Sequence, residues 1–190
     1  MQVKTKRAVV FISIVALALI VGILIGIAWD LYERFVMPDK YQAIVSKYSE
    51  LYDIPKEIIF AVIKVESNFQ ISAKSHAGAL GLMQMLPSTF EWLTGEDHLD
   101  ENLLTVSLYD PEVNIRYGTY YLRYLKNKFE DWDTVLAAYN AGEGNVIKWL
   151  DNEKYSSDGK TLTQIPVKET RNYVKKVNNE IAIYRNIFEN

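Results

Sequence analysis

The longest apolar pattern comes first in the chain. Ala8 to Trp29 holds 22 residues without a charge. As a helix this run spans about 33 Å, enough to cross the hydrocarbon core of a bilayer. Lys4, Lys6 and Arg7 precede it and Asp30 follows it. The positive-inside rule then puts residues 1–7 in the cytoplasm, 8–29 in the membrane and the rest outside. No small-residue cleavage motif follows the run, and Trp29 suits a membrane interface, so the pattern predicts an uncleaved single-pass anchor. A cleaved signal peptide is the main competing reading. Residues 30–39 read as a connector ending at Pro38-Asp39, and residues 40–190 as the outer domain.

Beyond the anchor the apolar spacing is helical. Tyr41, Ile44, Val45, Tyr48, Leu51 and Tyr52 recur at intervals of three and four, with Asp39 as a candidate cap. Pro55 suits the first turn of a second helix, whose Ile58, Ile59, Val62 and Ile63 run toward Glu66. Residues 68–81 lose the period and predict a loop or small hairpin. Pro87 opens a short helix that Gly95 closes, and Asp110-Pro111 opens a long one striped by Val113, Tyr117, Tyr120, Tyr121, Tyr124 and Leu125. A further helix stops at Asn140-Ala141-Gly142. A polar loop fills 151–163, and Pro166 precedes a last helix with Val174, Val177, Ile181, Tyr184 and Phe188 on one face. The predicted fold is mainly α, with at most a small β element near 68–86.

Composition narrows the function. Of 21 basic residues three lie before residue 30, so the outer part carries 18 against 24 acidic ones, a net charge of -6. That balance argues against a nucleic-acid partner. The chain has no cysteine, which excludes disulfides, thiolate metal sites and Cys nucleophiles, and its two histidines, His76 and His98, are too few for a multi-His metal site.

Candidate chemistry begins at Glu66. Ile59, Val62, Ile63 and Glu66 share one helix face, so a carboxylate ends an apolar stripe near a helix C-terminus. Burial and the helix dipole both raise a carboxyl pKa, as a general acid requires. Periodicity alone equally allows a solvated helix end. Gly78 to Met85 sets two glycines and the Gln84 amide in an apolar loop, where a ligand can approach the backbone. Ala138-Tyr139-Asn140-Ala141-Gly142 brings a phenol and an amide to a helix end, and Glu169 to Val174 includes the phenol of Tyr173. Thirteen tyrosines and four tryptophans can supply sugar-stacking rings, although most lie on the core stripes.

In this order the segments resemble the catalytic domain of lytic transglycosylases of the soluble lytic transglycosylase type, glycoside hydrolase family 23. The matching residues are Ile63-Lys64-Val65-Glu66-Ser67-Asn68-Phe69, Ser75 with Gly78-Ala79, and Gly81-Leu82-Met83-Gln84-Met85-Leu86-Pro87. They continue with Asn114-Ile115, Gly118, Tyr121-Leu122, Ala137 to Gly142, Glu169-Thr170-Arg171 and Tyr173-Val174. The match covers roughly 40–188. Leu86 stands where relatives often have Met.

The resemblance implies a lysozyme-like α+β fold with a groove for peptidoglycan glycan strands. The bond cut is the β-1,4 link between N-acetylmuramic acid and N-acetylglucosamine. It implies Glu66 as the single acid/base. Ser75, Gln84, Tyr139 and Asn140 match positions that contact sugar or hold the catalytic carboxyl, Tyr173 matches a groove tyrosine, and Met83 and Leu86 match its wall. No metal or organic cofactor is implied. A two-carboxylate scheme needs a partner that Asp97, Asp100 and Glu143 do not supply at any position the sequence defines. The resemblance implies that no such partner is needed and that the product is a 1,6-anhydromuramic end. A muramidase using water and an inactive wall-binding module remain the alternatives, and service to a cell-envelope machine stays open.

Overall fold

The computed structural model describes residues 2–36, 39–95, 98–99 and 101–189. It divides into two compact units, Met1–Asp39 and Lys40–Asn190.

The first unit is one helix, α1 (Gln2–Val36). Phe11–Trp29 within it has a mean hydropathy of 3.0, and none of it is buried by protein. The helix continues through 30–36, where the sequence predicted a connector. No Gly or Pro stands between Trp29 and Pro38, so nothing there interrupts the ladder of backbone bonds. Pro38 lies outside the described residues.

The second unit is built from helices. Helix α2 (Asp39–Tyr52) buries Tyr41, Val45 and Tyr48, at the predicted spacing. Pro55 is the N-cap of α3 (Lys56–Ser67) rather than part of its first turn. Every residue of α3 from Ile58 to Ile63 is buried. The helix stops at Asn68, whose left-handed φ of 50° turns the chain and whose N–H bonds back to the Lys64 carbonyl. Residues 68–86 form a loop pinned by two isolated antiparallel bridges, Lys74 to Leu80 and Leu80 to Met85. That is the whole β content among the described residues.

Helix α4 (Pro87–Leu93) starts on its proline. A 3-10 turn (Thr105–Tyr109) lies in a stretch the periodicity left unassigned. Helix α5 (Pro111–Lys128) is capped as predicted: the Asp110 carboxylate accepts from the Glu112 and Val113 N–H groups at 2.8 and 3.0 Å. Helices α6 (Trp132–Ala141) and α7 (Glu143–Leu150) meet at Gly142, where φ is +87°. Helix α8 (Lys168–Glu189) completes the chain and buries Thr170, Tyr173, Val174, Val177, Ile181 and Tyr184.

Two packed regions frame the site. On one side α8 lies against α3, with the Phe60 ring 5.5 Å from Tyr184 and 5.9 Å from Phe188. On the other, Leu80, Met85, Phe90, Leu93, Leu108 and Tyr117 form a cluster under the loop. Phe90, Leu93, Leu108 and Tyr117 are fully buried, and each such side chain contributes roughly 1.5–3 kcal/mol. The loop 68–86 hangs between these regions and is held by both.

Candidate active site

Glu66 is the penultimate residue of α3. The apolar stripe below it anchors its backbone, while its side chain reaches the mouth of a cleft of about 430 Å³. Protein encloses most of its carboxyl, and this burial pushes the pKa up to about 7. The Tyr173 hydroxyl opposes the shift without cancelling it, because a phenolic O–H favours the ionised carboxylate. That hydroxyl is itself buried and has no partner at hydrogen-bond distance in this structure, yet it lies near enough to Glu66 for the two to interact. Tyr173 comes from α8 and is buried next to the acid; it is not among the residues that line the cleft.

The opposite wall depends on the loop. Gly81 has a φ of +76°, and a Cβ there would lie 2.2 Å from the Asn114 side-chain nitrogen and 2.3 Å from the Leu108 carbonyl. Asn114, fully buried on α5, is why that space is filled. Its Nδ2 donates to the Leu80 and Leu108 carbonyls at 3.0 and 2.8 Å, and its Oδ1 accepts from the Met83 N–H at 2.7 Å. One amide thus satisfies three buried backbone groups. Gly118, one turn further along α5, leaves room for the Met83 side chain, whose sulfur would be 2.5 Å from an added Cβ.

This clamp corrects the expectation for Met83. Its side chain is fully buried against α5 and does not form the cleft wall. Its carbonyl does face the site and accepts the Tyr139 hydroxyl at 2.8 Å. Tyr139 therefore braces the loop with its proton, while the negative charge of ionised Glu66 reaches it through space and helps hold its pKa well above the ordinary phenol value, after burial. Gln84 lines the cleft with a φ of 49°. Its Nε2 donates to the Gly81 and Ala73 carbonyls at 2.8 and 3.2 Å, so its amide oxygen is the group turned to other uses. Ser75 lines the cleft too; its Oγ accepts from the Ala79 N–H at 3.0 Å, which leaves its proton to donate. Asn140 and Leu86 complete the predicted lining.

The cleft holds one carboxylate to which sequence reasoning gave no role. Glu169, exposed in the first turn of α8, lines it with Glu66. Its motif was visible in the sequence, but the fold alone carries it to this wall. His76 and Ala77 line the cleft too. Glu143 instead pairs with Lys128 at 2.5 Å, while Asp97 and Asp100 lie outside the described residues. No group of three His, Cys, Asp or Glu side chains suited to a metal ion occurs among the described residues.

Residues 43–162 match the family model of the transglycosylase SLT domain, and the chain belongs to that family. Its relatives include the soluble lytic murein transglycosylase of Escherichia coli K12, 37% identical over 84% of this chain and 25% of that protein. The membrane-bound lytic murein transglycosylase C of Haemophilus ducreyi is 32% identical over 78% of this chain and 46% of its own length. Among solved structures, an inactive glutamate-to-glutamine mutant of the lytic transglycosylase Slt from Pseudomonas aeruginosa superposes with a TM-score of 0.69 at 31% identity, covering 82% of this chain and 25% of that one. The chain thus spans between a quarter and a half of the length of these relatives.

Proposed function

We propose that this protein is a membrane-anchored murein lytic transglycosylase of glycoside hydrolase family 23. In this reading it cuts the β-1,4 bond between N-acetylmuramic acid and N-acetylglucosamine and leaves 1,6-anhydromuramic ends. The observation that carries the reading is Glu66: a carboxyl enclosed by protein, with its pKa at about 7, opening on a cleft lined by amides and hydroxyls.

The neutral Glu66 carboxyl gives its proton to the glycosidic oxygen, and the bond from that oxygen to C1 of the muramic residue breaks. The N-acetyl oxygen of the same sugar stabilises the positive charge at C1. Glu66, now ionised, is a carboxylate in a poorly solvated place, and the unpartnered Tyr173 hydroxyl is positioned to donate to it. The carboxylate then removes the proton of the muramic C6 hydroxyl, and that oxygen closes on C1. Glu66 returns to its protonated form. The attacking hydroxyl belongs to the bound sugar, so its effective concentration exceeds that of free water by orders of magnitude. Ser75, Gln84, Tyr139 and Asn140 hold the sugar or the loop that faces it. Neither a metal nor an organic cofactor takes part.

Glu169 favours one second reading. A carboxylate sharing the cleft with Glu66 can activate water, which would make the enzyme a muramidase. Mass analysis of muropeptides released from purified peptidoglycan separates the two. Anhydro ends, one water lighter than hydrolysis products, are expected, along with substantial activity in Glu169→Gln. Reducing muramic ends as the main product would establish the muramidase and overturn the transglycosylase.

The exposed apolar face of Phe11–Trp29 and the basic residues before it support an anchor with residues 1–7 in the cytoplasm and the cleft outside, facing the wall. Protease added to spheroplasts should digest the domain; protection would overturn this topology.

A further inference from the structure

A ring-lined ledge leads away from the cleft, and the mechanism leaves it unused. A second pocket of about 140 Å³ shares Gln84, Leu86, Tyr139 and Asn140 with the Glu66 cleft and continues to Thr89 and Tyr121. The Tyr121 ring lies 5.5 Å from Tyr139, at the junction, and 6.5 Å from Trp92. Thr89 and Trp92 are three residues apart on α4, so they are neighbours on one helix face. Trp92 thus lies just beyond the pocket's lining, next to both Thr89 and Tyr121.

Trp92 differs from the other rings here. It is 41% exposed, whereas the aromatic residues of α4 and α5 that form the core, Phe90 and Tyr117, are fully buried. It is also held firmly. The His98 ring meets it edge-on at 4.2 Å and Tyr124 at 4.8 Å. Tyr124 in turn stacks with Tyr121 at 6.2 Å and carries the Lys128 ammonium 4.4 Å from its centre. An indole fixed on three sides and open on one loses little freedom when a ligand covers it. Its apolar face suits the C–H face of a pyranose ring, and the Thr89 hydroxyl at the pocket wall suits the sugar's polar edge.

We propose that Trp92, with Thr89 and Tyr121 leading to it, is a further sugar-binding subsite that grips glycan strands too long to be held by the Glu66 cleft alone. The inference rests on the wall-glycan reading above and adds a preference for long strands. An occupant of the cleft that extends past Tyr139 reaches this ledge next, which is why a second stretch of the same glycan is the ligand rather than an unrelated molecule.

The test uses the full chain in detergent, with Glu66→Gln to prevent cleavage. Binding is measured for purified uncrosslinked glycan strands and for a chitin-derived tetrasaccharide. Adding Trp92→Ala should weaken the long strands about five- to tenfold and leave the tetrasaccharide unchanged, and Trp92→Phe should restore most of the loss. Unchanged binding of long strands, or equal weakening of both ligands, would overturn the subsite. Should the Glu66→Gln parent itself bind neither glycan, the wall-glycan reading fails first and the subsite with it.

Discussion

Helices α1 and α3 carry similarly apolar sequences to opposite environments. The large apolar side chains from Phe11 to Trp29 are 42–68% exposed, whereas Ile58, Ile59, Phe60, Val62 and Ile63 are at most 3% exposed. No charged residue breaks the apolar run of α1, and Ser13 is its one polar side chain, so no face of it is suited to water and its apolar surface calls for lipid. Helix α3 is half as long or less, begins with Lys56 and Glu57, and ends with Glu66 and Ser67. Its apolar middle is covered by α8 and the loop. The difference shows what an apolar helix needs before it can support chemistry: a protein lid that buries a carboxyl while leaving one side open to substrate.

The comparison breaks most sharply with a charge placed in each helix. Val62→Asp puts an unpaired carboxylate where no part of the side chain is exposed and should abolish folding, at a cost of several kcal/mol. Leu17→Asp in α1 should leave the domain's circular dichroism and melting unchanged. It should weaken membrane retention, since an acidic residue at a spanning-helix centre costs about 2.5–3.5 kcal/mol. Equal effects of the two variants on folding would erase the contrast.

Glu66→Gln comes next in size. The amide keeps the shape and cannot release a proton, so turnover should fall by at least about 10²–10⁴-fold with the fold intact. Near-parental turnover of purified Glu66→Gln would remove the residue from the chemistry.

The same burial makes stability depend on pH. Glu66 has a folded pKa of about 7 against an ordinary value of 4.5, so the native state binds its proton more tightly than the unfolded one. Its protonated form is accommodated without penalty below about 4.5. Stability is then lost as pH rises toward and through 7, reaching about 3 kcal/mol above it. Glu66→Gln lacks this loss. Denaturant melts should therefore show the variant gaining on the parent by up to about 3 kcal/mol between pH 4 and pH 8, and a constant difference would show that the carboxyl is well solvated. The parent's activity should decline on the alkaline side of 7, where the acid is ionised before it can act.

Tyr139→Phe should have the smallest effect. It removes the bond to the Met83 carbonyl and keeps the ring, costing about 1 kcal/mol of stability and less than tenfold in turnover. A loss as large as that of Glu66→Gln would mean that this hydroxyl takes part in proton transfer instead of bracing the loop.

Much of the helical framework was legible because local chemistry encodes it. Asp110 caps α5, Gly142 ends α6, and α8 follows shortly after Pro166, each through backbone preferences that neighbouring residues express alone. The 3-10 turn at Thr105–Tyr109 escaped notice because five residues are too few to display a period. The extension of α1 through 30–36 was hidden by the charges there, which suggested a linker although they are compatible with a helix. In the site, Glu66 stood out as a carboxylate at the end of an apolar stripe, but its environment did not.

The sequence by itself determined where several of the domain's helices start or stop, which of their faces are apolar, and that one uncharged run is long enough for a bilayer. Those properties depend on residues within a turn or two of each other. Tertiary structure decided what covers each face. It brought Tyr173 from α8 next to Glu66, carried Glu169 to the same cleft, and turned Met83 inward onto Gly118 so that only its carbonyl serves the site. It also engaged the Gln84 amide nitrogen within its own loop and left Trp92 open above a stack of rings. Periodicity specifies a buried face but not its neighbour, and the pKa of a carboxyl or the reach of a phenol is set by that neighbour.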